Sequence, residues 1–349
     1  MEMSRLRIPK RIAVTAAVSG EYEGRYPPAF SRALRDFIAS VLMAGIMTVA
    51  AAAEFPTRPV RLVVPAPPGG TLDLEARLLA NKLQELWRQP VLVENRAGAS
   101  TSIGVDFVAK SAPDGHTMVI NAVPIVTVPH LQRVPYDLTR DLVGVIQVAV
   151  VRYALAIHPK AGVSSFREFV ELARKEPKRL NYSSGGAGTG SHLYIELVRS
   201  AAKIELTHVP YKGDGPALQA LLAGEVDVMF NTTVTIVPLA KAGKVRALLV
   251  DGARPFEGLP NVPTFESLYP GVGIDGWHGV FAPSATPKEI VDRIAADLRT
   301  VILSAELSGR LRDMGFEPTG ILPEAFNAVV RRDFDRWGRI IRENNIRAD

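Results

Sequence analysis

The stretch Val60-Arg61-Leu62-Val63-Val64-Pro65-Ala66-Pro67-Pro68-Gly69-Gly70-Thr71-Leu72-Asp73 is a β-branched run that breaks into a Pro/Gly turn. Beyond it, residues 74–83 carry apolar side chains at helical spacing. The pattern predicts a strand, a glycine loop and a helix. Glycines let the backbone come close to a ligand, and a helix start presents N–H groups with the positive end of its dipole. Such a place suits an anion. The loop lacks the Lys-Ser/Thr ending of a phosphate loop and the third glycine of a dinucleotide fingerprint, so a small carboxylate fits it better than a nucleotide. An ordinary tight turn between strand and helix is the competing reading.

A second stretch repeats the logic. Asn181-Tyr182-Ser183-Ser184-Gly185-Gly186-Ala187-Gly188-Thr189-Gly190-Ser191-His192 runs from a strand into a Gly/Ser/Thr loop and then a helix. The spacing Gly186-x-Gly188-x-Gly190 superficially matches a nucleotide fingerprint. Its sixth position is Ser191, however, and the ribose-binding acid expected after a second strand is not evident. One anion-ready helix start on each of two lobes would form a clamp that a bound carboxylate closes.

Residues 37–50 form an apolar run preceded by Arg32 and Arg35 and followed by Ala51-Ala52-Ala53-Glu54. It is shorter than the ~20 apolar residues of a membrane span and is read as a signal peptide cleaved near Ala53. Export to the periplasm is therefore expected, and residues 1–53 are set aside from the fold. The chain carries a formal net charge of +5, but residues 1–53 hold seven Lys/Arg against four Asp/Glu, which leaves +2 on the remainder. Basic and acidic residues interleave there, without a nucleic-acid stripe. The chain has no cysteine, which removes disulfides, thiolate catalysis and Cys-ligated metals.

From residue 54 onward strand and helix signals alternate, which predicts an α/β fold with mainly parallel sheets flanked by helices. Strands are expected at 60–64, 91–94, 117–121, 143–151, 154–158, 181–183, 206–209, 226–230, 246–251 and 278–282. Helices are expected at 73–85, 165–175, 190–200, 215–223, 288–304 and 323–344, the last with Phe326, Phe334 and Trp337 facing the core. Ser164 or Ser165 opens one helix, and Thr286-Pro287 opens another. The length favours two lobes, with crossings in the run 143–157 and near Gly276-Trp277-His278-Gly279. That places residues 54–156 and 276–349 in a discontinuous first lobe and residues 157–275 in the second.

The chain resembles the substrate-binding proteins of tripartite tricarboxylate transporters, the TctC or Bug (Bordetella uptake gene) family. The resemblance rests on an ordered set of stretches across residues 55–349: Phe55-Pro56-Thr57-Arg58-Pro59-Val60, Pro67-Pro68-Gly69-Gly70, Glu94-Asn95-Arg96-Ala97-Gly98-Ala99, Ala112-Pro113-Asp114-Gly115, Val134-Pro135-Tyr136-Asp137, Leu180-Asn181-Tyr182-Ser183-Ser184, Val209-Pro210-Tyr211-Lys212-Gly213, Leu222-Ala223-Gly224-Glu225-Val226-Asp227 and Leu259-Pro260-Asn261-Val262-Pro263-Thr264. It implies a periplasmic-binding fold with two hinge crossings, a cleft between lobes and a solute-receptor role. It also implies that Gly69, Gly70 and Thr71 contact a ligand carboxylate from the first lobe, with Asp73 capping its helix. From the second lobe it implies contacts by Gly188, Thr189, Gly190, Ser191 and His192, with Tyr211 and Lys212 at the cleft edge.

Three departures from the family pattern bear on the ligand. Leu72 stands where the family usually has Thr or Ser, Asn121-Ala122-Val123-Pro124 replaces a Gly-Thr-Ser type of turn, and Asn231-Thr232 replaces Asp-Asn. With Ala122, Val123 and Asn231 in the pocket, the expected ligand is a monocarboxylate or a carboxylate with an apolar or aromatic body, because polar groups buried without partners cost a few kcal/mol. The expected partners are that small organic carboxylate and the membrane subunits of a tripartite tricarboxylate-type transporter. Neither a cofactor nor nucleic acid is expected, and the chain is expected to be a monomer.

An enzyme reading finds less support. The histidines at 116, 130, 158, 192, 208 and 278 show no metal-ligand spacing, and no Gly-x-Ser-x-Gly elbow occurs. His158 and His208 end apolar strands and read as structural, while Glu225 and Asp227 read as solvent-exposed. Trp277 could close over a ligand or pack at a hinge. The competing functions are a two-lobed hydrolase or transferase working near Ser191 and His192, and a ligand-sensing receptor for signalling.

Overall fold

The first strand, β1 (Val60–Val64), pairs in parallel with β2 (Val91–Asn95) and β3 (Thr117–Ala122). Its side chains at Val60 and 62–64 are buried, as a strand covered by helices on both faces requires. This trio is one half of a six-stranded sheet in the computed structural model, which describes residues 55–186, 188–343 and 345–347. The other half holds β4 (Leu142–Val151), β10 (Gly276–Pro283) and β11 (Phe316–Ile321), giving the order β11-β4-β10-β3-β1-β2. A five-stranded sheet holds β5 (Tyr153–Ile157), β6 (Asn181–Ser184), β7 (Thr207–Pro210), β8 (Val228–Thr232) and β9 (Arg246–Val250) in the order β7-β6-β8-β5-β9.

Sheet membership changes at Arg152, between β4 and β5, and again between β9 and β10. The expectation of mainly parallel sheets is corrected here, because both sheets are mixed. β10 runs antiparallel to β3 and β4, and β5 runs antiparallel to β8 and β9. The reason lies in the crossings. A chain that leaves a sheet along one strand and returns to it beside that strand must run in the opposite direction. The parallel pairs, β1 with β2 and β3 and β6 with β7 and β8, are those joined within one sheet by helical crossovers.

The predicted helix ends were close where caps are written in the sequence. Ser165 accepts a hydrogen bond from the Glu168 N–H at 3.2 Å and opens the helix Phe166–Lys175. The helix expected over 288–304 is present, and a further helix follows it. Lys288–Ile302 stops, and Ser304 caps Ala305–Asp313 by accepting from the Leu307 N–H. The helix Pro323–Glu343 buries Phe326 and Trp337, with Phe334 partly covered. No helix among the described residues is long and apolar enough to cross a membrane. The expected signal peptide lies outside the described residues.

Candidate ligand-binding site

The loop after β1 is fixed by one buried carboxylate. Asp73 accepts hydrogen bonds from the Gly69 N–H at 2.9 Å, from Asn95 Nδ2 at 2.9 Å and from Arg77 Nε at 3.0 Å. Asn95 also donates to the Ala66 carbonyl at 3.1 Å, tying β2 to the same loop. Burial alone would raise the Asp73 pKa, but the bonds from Arg77, Gly69 and Asn95 outweigh it and hold the group below its ordinary value. Gly69 supplies the turn with φ +84°. The helix Thr71–Trp87 then begins at Gly70 without a side-chain cap.

The second loop folds back on itself. Ser191 Oγ accepts from the Gly185 N–H at 3.0 Å and donates to Asp214 Oδ1 at 2.7 Å. Thr189 Oγ1 donates to the Gly186 carbonyl at 2.7 Å, and His192 Nδ1 accepts from the Gly188 N–H at 3.1 Å. The buried His192 ring stacks on His208, whose Nε2 lies 2.7 Å from Ser184 Oγ. Ser191 and His192 thus serve separate hydrogen bonds within the loop, and this geometry does not pair them as nucleophile and base.

A cavity of about 210 Å³ opens between the two sheets. From the six-stranded side it is lined by Thr71, Val151, His278 and Phe316, and from the other side by Tyr153, Asn231 and Thr232. Asp214, Gly215, Leu218 and Thr235, on the helices Asp214–Ala223 and Thr233–Lys241, complete the wall. The first turns of three helices, at Thr71, Asp214 and Thr233, contribute to this lining or directly adjoin it, and none has a side-chain cap. Elsewhere Asp137, Ser165, Thr264 and Ser304 cap helices, while the helices starting at Ser102, Pro124, Gly190 and Lys288 also lack a side-chain cap, so it is their common place at one cavity that sets the three apart. The Thr233 N–H is already given to the Arg152 carbonyl, and the other first-turn N–H groups of these helices, placed at one cavity, suit an anion.

Other groups set its chemistry. Asp214 is raised above its ordinary pKa by burial, which outweighs its bonds to Ser191 and the Gly185 N–H. Burial likewise raises the Tyr153 phenol and keeps it protonated. Asn231 Oδ1 accepts from the Thr232 N–H at 2.7 Å, while its Nδ2 makes only a 3.7 Å contact with Met229 Sδ. A larger hollow of about 600 Å³ lies around Phe166, Arg174 and Tyr269. It carries none of the sequence-predicted residues, and the helix starts converge on the smaller cavity.

Of the sequence-predicted residues, Thr71 and Asn231 line the cavity, and Gly69 and Gly70 belong to the loop that leads to Thr71. Gly188, Thr189, Ser191 and His192 do not line it. Gly190 lies behind the cavity wall, where an added Cβ would come 3.1 Å from the Tyr153 hydroxyl. Ala122 and Val123 also lie off the lining, with Ala122 paired to His278 across β3 and β10. Trp277 is buried and donates to Asp333 Oδ2 at 2.8 Å, a packing role. Asp227 corrects the solvent-exposed reading, since it accepts from the Asn181 N–H at 3.0 Å and is partly buried, while Glu225 is exposed. The sequence reading missed Tyr153, Asp214, Thr235, His278 and Phe316 as cavity residues. Asp214 directly follows the flagged Tyr211-Lys212-Gly213, and Tyr153 and His278 fall in the two stretches read as crossings, which marked them for a hinge and not for a ligand.

Comparison with known proteins agrees with this architecture. The family described as tripartite tricarboxylate transporter family receptor, TctC, matches residues 75–346. A protein of the tcbD-tcbE intergenic region of Pseudomonas sp. (strain P51) is 36% identical over 298 residues, covering 84% of this chain and 89% of its own. A solved R. palustris protein with adipate superimposes with a TM-score of 0.76 at 33% identity, covering 84% of this chain and 99% of its own. MatC from Rhodopseudomonas palustris with bound malate gives a TM-score of 0.72 at 29% identity, covering 82% of this chain and 100% of its own. The two-lobed α/β fold, the helix starts gathered at its central cavity and the match along nearly the whole described chain lead to one conclusion: this chain belongs to the TctC family of tripartite tricarboxylate transporter receptors.

Proposed function

We propose that this protein is an exported receptor that holds one small organic carboxylate between its two sheets and delivers it, unchanged, to a tripartite tricarboxylate-type membrane transporter. The observation that carries this reading is the placement of three helix starts without side-chain caps at or beside one cavity. Apart from the Thr233 N–H, which serves the Arg152 carbonyl, the first-turn N–H groups there stabilise a carboxylate through aligned dipoles and hydrogen bonds. The two sheet units act as the lobes of a clamp, and a ligand touching both favours the closed arrangement. The adipate and malate held by the solved relatives support a carboxylate as the ligand class.

The lining mixes polar groups with Val151, Leu218 and Phe316, so one end of the ligand is apolar. The reading is tested by a thermal-shift screen of adipate, malate, citrate and aromatic monocarboxylates. A ligand at 100 times its Kd stabilises by about 2.7 kcal/mol. At least one monocarboxylate or dicarboxylate with an apolar body is expected to raise Tm more than citrate does. Citrate as the strongest stabiliser, with the less polar acids inert, would overturn the ligand class.

A further inference from the structure

A fully buried carboxylate sits directly behind the cavity wall. Glu75, on the helix that starts at Thr71, places Oε2 at 2.5 Å from His278 Nδ1. Its other oxygen, Oε1, is buried without a hydrogen-bond partner. His278 lies on β10, is itself buried, packs edge-on against Phe316 at 5.3 Å between ring centroids, and lines the cavity. With Nδ1 committed to Glu75, Nε2 is the ring nitrogen left for another partner.

We propose that Glu75 and His278 are a ligand-selecting pair: His278 Nε2–H donates a hydrogen bond to the ligand's carboxylate, and Glu75 positions the ring and balances its charge. This inference rests on the carboxylate-receptor reading above and adds to it a side-chain contact in the six-stranded half of the molecule.

The charge argument has two steps. A carboxylate buried this completely is unfavourable unless paired, and His278 is the group paired with it. Donation from both ring nitrogens, to Glu75 and to a ligand, requires the imidazolium, for which Glu75 is the adjacent counter-charge. The other titratable groups on the cavity wall are Asp214 and Tyr153, and neither is a cation. His278 is therefore the single side chain among the cavity-lining residues that can bring a positive charge to an anionic ligand. A neutral backbone site would hold any small anion, whereas this pair rewards a full carboxylate charge placed near β10.

The pair is also a structural liability that an apolar substitution would remove. Replacing a buried ion pair by apolar side chains of similar volume is commonly neutral or stabilising, whereas removing one partner is destabilising. This separates function from folding. The Glu75→Leu/His278→Phe double variant is expected to keep or raise the wild-type Tm and to lose at least tenfold in affinity for adipate and malate by calorimetry. Glu75→Gln retains a hydrogen-bonding partner but not the charge, and is expected to weaken binding severalfold. In the wild type the His278 side-chain ¹⁵N resonances are expected to move when the carboxylate is added. A double variant that is stable and binds both acids as the wild type does would overturn the pair's role and leave the receptor reading standing. A wild-type protein that binds no carboxylate in the wider acid screen would overturn both.

Discussion

Arg152→Met is expected to destabilise the protein by about 3–5 kcal/mol, the loss that follows removal of one partner from a buried ion pair. Arg152 stands where the chain passes from β4 to β5 and is about 1% exposed, while its partner Asp251 is fully buried. Its Nε donates to Asp251 Oδ1 at 2.8 Å, and its Nη2 donates to the carbonyls of Asp251 and, at 2.9 Å, Arg254. Its own carbonyl accepts from the Thr233 N–H at 2.8 Å, so one residue ties together the first crossing, the end of β9 and the start of a cavity helix. Asp275, just before β10, lies 4.0 Å from Nε, which brings the return crossing to the same point.

Burial works against the Arg152 charge, but Asp251 outweighs it and raises the guanidinium pKa. Burial pushes the Asp251 carboxyl up to about 7 against the pull of Arg152. Without Arg152 that carboxylate has lost its cation, and its Oδ2 already lacks a partner. Denaturant unfolding measures the loss, and Arg152→Met/Asp251→Leu is expected to recover most of it. A single variant that unfolds at the wild-type midpoint would show that the crossing is held by packing alone.

Phe326→Ala is expected to cost about 3–5 kcal/mol, the range for deleting a large buried aromatic side chain. Phe326 is fully buried on the helix Pro323–Glu343 and meets Trp277 edge-on and Phe281 at a tilt, with ring centroids 5.3 Å away in each case. Its ring sits against two strand glycines. A Cβ at Gly144 would come 2.8 Å from Phe326 Cδ1, and one at Gly279 would come 2.2 Å from Cζ. Glycine in the middle of β4 and β10 is thus explained by a ring that presses on the sheet. Gly279→Val is expected to destabilise from the opposite direction, by overpacking the same space. Thermal unfolding of both variants tests the point. A Phe326→Ala protein within 1 kcal/mol of wild type would mean the sheet collapses into the space.

The two variants also show which parts of the molecule the residues announced. The C-terminal helix was legible from its apolar spacing, and Phe326 and Trp337 lie on the side expected. Helices at Pro124–Leu131 and Thr233–Lys241 were not, because their β-branched residues and the internal prolines Pro129 and Pro238 read as strand or turn. β11 was hidden by Pro318 and Gly320, which an edge strand tolerates and a central strand does not. The first loop pointed to the cavity because its neighbours in sequence are its neighbours in space. His278, Phe316 and Tyr153 reach the same cavity from strands far apart in the chain, and the patterns around His278 and Tyr153 pointed to crossings and not to a ligand. The second loop had the composition of an anion site, yet its hydroxyls serve Gly185, Gly186 and Asp214.

The most direct test of a carboxylate clamp is native mass spectrometry of the protein purified from its own periplasm, with the bound molecule released and identified. The account expects one small organic acid per chain, recovered chemically unchanged after incubation with the protein and at lower occupancy in the Glu75→Leu/His278→Phe variant. A bound molecule without a carboxylate, or an acid returned as a different compound, would contradict it.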